Sequence, residues 1–249
     1  IVFNQLGFTR SDIVEFTVPE GFDSITVYDA DGSRLPVQLV GGGKAVFVAR
    51  DVPSKGYKAY RITNEVYDIQ SYMTVSKEII ANDFFDIRLD ETGAFVSVFD
   101  KVNNREILKE GSRGNVLQVF EDMPQWVNDA WDINIYHNDK MWEVNDVRSI
   151  QVLETGPVRS TLRIERRFLD SVITQDISVY SDIDRIDFKT HIDWKEKFML
   201  LKAAFPVDIH ANYATYDIQF GSIQRPNHWN TSWDYARFEV SGHKWADLS

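Results

Sequence analysis

Two stretches of this chain collect side chains that can do chemistry on a polar, ring-shaped ligand. The first is EDMPQWVNDAWDINIYH, residues 121–137, and the second is QRPNHWNTSWDYARFEVSGHKWADLS, residues 224–249. The second alone carries three Trp, two His, two Arg and two Asp. Trp and Tyr faces stack on the apolar C–H face of a sugar ring, while Asp, Asn and Arg bond its hydroxyls; saccharide sites are mostly aromatic with a few placed polar groups. The candidate substrate-binding residues are therefore Asp129, Trp131 and Asp132 in the first stretch, and Arg225, His228, Trp229, Trp233 and Asp234 in the second. Each has a bland alternative. A Trp in a β protein is more often core than platform, and Asp129 to Asp132 could simply turn a loop.

Catalysis and metal binding are less well supported by these residues. Two carboxylates held about 5 to 10 Å apart can hydrolyse a glycoside, and Asp129, Asp132 and Asp234 have the right type, but spacing in sequence supplies no distance. His228, Asp234 and His243 offer O and N ligands on one segment, yet no compact spacing such as H-E-x-x-H occurs. The other His, at 137, 191 and 210, are scattered. On the residues alone Asp129, Asp132 and Asp234 stay open as catalytic carboxylates, and a metal site is the weaker reading. There is no cysteine, which removes disulfides, thiolate metal sites and a Cys nucleophile. No G-x-S-x-G elbow and no phosphate-cradling glycine loop occur; Gly41 to Gly43 read as a hairpin turn. The sequon Asn230-Thr231-Ser232 reads as chance, with no secretory signal beside it.

The elements that must carry these residues are strands. The segments at 11–18, 24–29, 44–49 and 56–62 are short, β-branched or aromatic, and separated by DADG and GGG turns, which suits a small antiparallel sandwich over residues 1–75. A second, larger sandwich is expected over residues 76–249. It opens with a hairpin turning at Glu91-Thr92-Gly93 and continues with long alternating runs at 157–170 and 172–194, the latter turning near Ser181-Asp182. No helix of three turns is expected, and one turn near 106–110 is the best helical candidate. The 249 residues are 43% hydrophobic and carry a formal charge of −11, so the chain is a globular one whose acidity disfavours nucleic acid and anionic membranes as partners. No apolar run approaches the roughly 20 residues of a membrane span.

Several of these stretches carry a resemblance. DETGAFVSVFDKVNNREIL, GNVLQVFEDMPQWVNDAWDINIYH and FPVDIHANYATYDIQFGSIQRPNHWNTSWDYARFEVSGHKWADLS look like the C-terminal β region of glycoside hydrolase family 38 α-mannosidases, of the branch with cytosolic and bacterial members. VFVARDVPSKGYKAYRI resembles the linking β domain that precedes the large sandwich there. The resemblance is specific, in order, and runs over nearly the whole chain.

The resemblance implies an all-β fold: a small Ig-like sandwich, then a large galactose-mutarotase-like supersandwich that breaks off before its last strands. It implies a parent enzyme that hydrolyses terminal α-mannosides with retention, using a carboxylate nucleophile, a carboxyl acid/base and zinc, all in a barrel and helical bundle outside this chain. The implied partners are a mannose-containing oligosaccharide and those catalytic domains, with a homo-oligomer possible and a cytoplasmic setting. A sandwich cut short would leave strand edges open, so association of the isolated chain is expected. Two other functions stay open: a stand-alone carbohydrate-binding sandwich, and a mutarotase-like epimerase, for which His191, His210 and Glu239 are the residues to recruit as acid and base.

Overall fold

A computed structural model of the chain describes residues 1–67, 69–123 and 133–249. It is nearly all β, with 51% of residues in strands and 4% in helix, as the alternating sequence requires. Two compact units are made from interleaved stretches: Ile1–Glu106 with Asn145–Lys195, and Ile107–Val144 with Glu196–Ser249. Among the described residues no helix is long and apolar enough to cross a membrane.

The first unit begins with a small sandwich. Strands Arg10–Thr17, Lys44–Val52 and Val37–Val40 form one antiparallel sheet, and Arg34–Leu35, Thr26–Tyr28 and Arg61–Thr63 form another. Ile25, Val27, Leu35, Phe47, Ala49 and Val52 close its core. Phe47 meets Phe16 and Tyr60 edge-on, with centroids 5.9 and 4.9 Å away. The central strand is apolar without alternation, KAVFVA, because both its faces are covered. Val46 and Val48 point away from Phe47 and pack with Val158, Tyr180 and Ile183 of the larger sheet.

That larger sheet is an antiparallel meander of Asp146–Thr155, Arg159–Phe168, Ser171–Tyr180 and Asp187–Asp193. Its period-2 pattern sorts the faces. Leu162, Ile164, Ile173, Ile177 and Val179 are buried. The opposite face carries ion pairs laid across the register. Arg163 bonds Asp176, its register partner, through Nε and Nη2 at 2.7 and 2.8 Å. Arg159 grips Glu154 the same way at 2.6 and 2.8 Å.

A five-stranded sheet, Arg105–Glu106, Phe95–Asp100, Phe85–Leu89, Ile79–Ala81 and Thr74–Val75, completes the unit. The hairpin forms where Glu91-Thr92-Gly93 predicted it. Asp90 Oδ1 accepts from the Thr92 N–H at 2.8 Å and the Ala94 N–H at 3.0 Å, and Gly93 takes a φ of 73° that favours glycine. The expected helical turn near 106–110 is absent. Glu106 is in a strand, and its carboxylate accepts from the Val98 N–H at 2.8 Å and Ser97 Oγ at 2.6 Å.

The second unit holds two three-stranded sheets. One is Met141–Glu143, Val116–Glu121 and Met199–Ala204; the other is Gly221–Pro226, Tyr213–Ile218 and Ala246–Asp247. A 3-10 turn, Ile135–Asp139, and a single helical turn, Ser232–Tyr235, lie on the connections. These connections carry both polar-aromatic stretches.

Candidate functional site

Asp129, Trp131 and Asp132 lie outside the described residues. The flank of their stretch is described, and it meets the closing stretch. His137 is 2% exposed, clasped between the rings of Phe120 and Phe238 with centroids 5.4 and 5.8 Å away. Its Nδ1 lies 2.9 Å from the Asn134 carbonyl oxygen, which can only accept, so Nδ1 carries a proton. Nε2 then receives the Lys202 ammonium at 3.1 Å in the neutral ring, while Glu239 Oε1, 3.2 Å away, pairs with Lys202. The Lys202 ammonium also sits 4.8 Å above the Phe120 ring. His137 and Glu239 are thus an acid/base pair on paper but a packed one in fact. Both ring nitrogens are engaged and the imidazole is closed to solvent, so no sugar can enter between them. Of the residues recruited for an epimerase, His191 belongs to the first unit, and His210 and Glu239 to the second.

The closing stretch builds an aromatic surface. The hairpin Tyr213–Ile218 and Gly221–Pro226 pairs Tyr213 with Pro226, the last residue of its strand. One step further, the Asn227 N–H donates to the Asn212 carbonyl at 2.8 Å. Thr231 then caps the turn Ser232–Tyr235. Its Oγ1 accepts from the Asp234 N–H at 3.2 Å and donates to Asp234 Oδ2 at 2.7 Å, a T-x-x-D variant of the capping box. This gives the sequon's Thr231 a local structural job.

Asp234 is the hub. It is 7% exposed, and Oδ1 accepts from Arg237 Nη2 at 2.7 Å, while Oδ2 stands 3.6 Å from His228 Nδ1. The hydrogen bond from Thr231 holds its carboxyl below the usual carboxylate range; burial opposes this, and the cations of His228 and Arg237 add to it. A depressed folded-state value means the carboxylate's contribution is present above the unfolded pKa and lost as pH falls through the folded one. A carboxyl NMR titration is therefore expected to find the Asp234 midpoint below 3.8, with the 231–235 cap holding until pH drops through it. A midpoint at or above 3.8 contradicts this geometry.

Around the hub stand exposed rings. Trp233 is 80% exposed and Trp229 is 58%, with Tyr213 and Tyr235 about half exposed. Trp229 and Tyr235 meet edge-on at 5.7 Å, and Tyr213 stands edge-on to His228 at 6.4 Å. The His228 ring is 30% exposed. Asn230 N–H points to its Nδ1 at 3.4 Å. In the neutral ring that contact reserves the Nδ1 lone pair and leaves the proton on Nε2. In the cation both nitrogens are protonated. Nε2 is a donor either way, and among the described residues no protein group meets it.

The structure sets His228 against Asp234, leaves Trp229 and Trp233 exposed on the same segment, and gives Arg225 contacts of its own. Arg225 Nη2 donates to the Ser241 carbonyl at 3.2 Å, and its guanidinium lies 5.9 Å from the Tyr216 ring centre. The Ser241-Gly242 backbone presses on the same ring, since a Cβ on Gly242 would fall 2.8 Å from Tyr216 Cδ1. Residues missed from sequence are Tyr213, Thr231, Tyr235 and Arg237; only Thr231 had a readable signal, its T-x-x-D spacing. Among the described residues no three His, Asp or Glu side chains come together as metal ligands would.

Comparison with known proteins agrees with the resemblance in the sequence. Residues 80–249 match the model of the glycosyl hydrolases family 38 C-terminal domain. Alpha-mannosidase G of Dictyostelium discoideum is 41% identical over 177 residues, covering 69% of this chain and 16% of that protein. Alpha-mannosidase 2C1 of Homo sapiens is 36% identical over 173 residues, covering 68% of this chain and again 16% of the relative. The chain therefore spans about a sixth of the length of these relatives. A crystal structure of an alpha-mannosidase from Enterococcus faecalis V583 superposes with a TM-score of 0.66 over 93% of this chain and 34% of its own, at 14% identity, a likeness of fold. With the family model spanning residues 80–249 and relatives at 36 to 41% identity, this chain belongs to the glycosyl hydrolase family 38 C-terminal domain family.

Proposed function

We propose that this chain is the β region of a retaining α-mannosidase that hydrolyses terminal α-D-mannosides. Its match to the family 38 C-terminal domain over residues 80–249 carries the reading, supported by 41% identity to a protein named Alpha-mannosidase G. In this reading the nucleophile, the acid/base and the zinc belong to a barrel and helical bundle outside the chain. The β region supports those domains and presents Asp129, Trp131, Asp132, Arg225, His228, Trp229 and Trp233 toward a mannose-containing oligosaccharide, with Asp234 holding His228 from the inside. A cytoplasmic setting and assembly of several copies go with it.

The test is stereochemical. The longer polypeptide, supplied with zinc, is given a chromogenic α-mannoside, and the first-formed sugar is followed by proton NMR. The expected first product is α-mannose, which then mutarotates. β-Mannose as the first product, or no turnover of α-mannosides, overturns the proposal.

A further inference from the structure

The hairpin of strands Tyr213–Ile218 and Gly221–Pro226 turns through two residues, Gln219 and Phe220. Phe220 takes a φ of 63°, the left-handed region that glycine enters freely and a bulky side chain enters only at a cost. Gly221, the next residue, does not use that region. The Phe220 ring also stands wholly in water, the most exposed large apolar side chain among the described residues. Leu169 and Phe198 have a positive φ too, at 50° and 57°. In both the carbonyl is engaged: that of Leu169 accepts from Arg167 Nε, and that of Phe198 accepts from the Asp122 N–H at 2.8 Å. Among the described residues no contact of that kind holds Phe220. The turn thus combines a strained backbone with an unburied ring, and such combinations collect where a segment meets something else.

The size of the ring narrows what covers it. A Phe side chain buries about 150 to 250 Å², against about 1,200 to 2,000 Å² in a stable association of separate proteins. Its loop neighbours Gln219, Gly221 and Ser222 are exposed and polar or small, so they add little apolar area. One ring is too small to hold a second copy or a free partner. It is large enough for a segment already tethered to it, whose effective concentration is high. The chain spans about a sixth of the length of its relatives, so most of the polypeptide is such a tethered partner.

We propose that Phe220 anchors this hairpin to the catalytic part of the same polypeptide, its ring filling an apolar pocket there. That such a part exists rests on the α-mannosidase reading; that the ring is an anchor rests on the turn.

The test is hydroxyl-radical footprinting, with oxidation of Phe220 read by mass spectrometry in the 249-residue chain and in the longer polypeptide. Oxidation is expected to be about fivefold or more slower in the longer polypeptide without substrate, since an anchored ring is shut off from water. Phe220→Gly supplies a second readout of opposite sign in the two settings. In the chain it is expected to raise the melting temperature by about 2 °C, because strain goes and nothing buried is lost. In the longer polypeptide it is expected to lower it by about 2 °C or more, because the pocket loses its ring. Equal oxidation in both settings, or a melting temperature raised in both, overturns the anchor. A melting temperature lowered in both overturns it too and assigns the ring to the chain's own fold. Protection that appears only with saturating α-mannoside overturns it in favour of substrate contact. Protection of the isolated chain that grows with its concentration overturns it in favour of a second copy. Hydrolysis of α-mannosides by a longer polypeptide whose Phe220 oxidises freely removes this inference and leaves the α-mannosidase reading intact. A protected Phe220 in a longer polypeptide without that activity supports the anchor and removes the reading.

Discussion

Gly93→Ala is expected to lower the stability of the chain severely, as one of the two costliest methyl additions at a glycine of the first unit. Two penalties combine. Gly93 sits at a φ of 73°, where a side chain costs about 1 kcal/mol. The added Cβ also falls 2.6 Å from Ile164 Cδ1 and 2.8 Å from Arg166 Nη2. Neither neighbour can step aside cheaply. Ile164 is wholly buried, and Arg166 is a cation at 2% exposure. Arg166 Nε donates to the Thr92 carbonyl at 3.1 Å and Nη1 to Gln175 Oε1 at 3.5 Å, both inside this packed region. Burial already pulls its pKa down to about 10, with the Asp90 carboxylate opposing the fall. Moving the guanidinium would break bonds to a buried charge. Overpacking adds about 1 to 3 kcal/mol, so a total of about 2 to 4 kcal/mol is expected. At about 2 to 4 °C per kcal/mol in a chain of this size, the melting temperature should fall by roughly 10 °C. Gly32 is the control. Its φ is 85°, yet nothing lies within 4 Å of a Cβ there. Gly32→Asn is expected to be nearly neutral and Gly93→Asn severe. Equal losses in thermal unfolding would mean that backbone angle alone, and not crowding, sets the effect.

The second large effect joins the small sandwich to the larger sheet. Gln38 is buried on strand Val37–Val40, and its Oε1 accepts from the backbone N–H groups of Val158 at 3.2 Å and Arg159 at 2.8 Å. Gly156 lies against that amide, and a Cβ added there would fall 2.0 Å from Gln38 Cδ. Ser71 Oγ donates to the Gly156 carbonyl at 2.9 Å, which fixes the glycine from the other side. Gly156→Ala must therefore expel the Gln38 amide and strand two N–H donors near the Val46–Tyr180 core. The expected cost is about 2 to 4 kcal/mol, since each buried unpaired donor costs about 1 to 3. Gln38→Ala strands the same donors and should cost about as much. The two substitutions break one arrangement, so the double variant should lose well under the sum of the single losses. Additive losses in urea unfolding contradict the clamp.

Some of this could be read from residues alone, and the reasons are local. The turn at Glu91-Thr92-Gly93 is fixed by Asp90 two to four positions away, while the bend near Ser181-Asp182 is read from residue type but held by distant partners, the Val158 carbonyl and Arg50. The alternation of residues 157–170 and 172–194 gave their faces. The continuous run KAVFVA signals a strand covered on both sides, but nothing in it names Val158, Tyr180 and Ile183 as the cover. Glu106 looked helical because its partners, Val98 N–H and Ser97 Oγ, come from a strand pairing. In the candidate surface the density of Trp, His and Asp was readable. What sequence did not supply was direction. Asp234 turns inward to brace His228 and Arg237, Arg225 turns to Ser241 and Tyr216, and His137 is sealed against Lys202 and Glu239. Each of those contacts lies within the second unit, and several of them, His137 with Lys202 and Glu239 above all, join residues far apart in the sequence, a long-range property that residue type does not encode. Asp129, Trp131 and Asp132 lie outside the described residues, so their directions form no part of this comparison.

The central claim, that this β region supports a chemistry housed elsewhere in the same polypeptide, meets its most direct test in one side-by-side assay. The 249-residue chain and the longer polypeptide are given a chromogenic α-mannoside, each with zinc added and with zinc chelated. The account predicts turnover by the longer polypeptide with zinc and none by the chain in either condition. Zinc-dependent turnover by the chain alone would contradict it and would place the nucleophile among its own carboxylates.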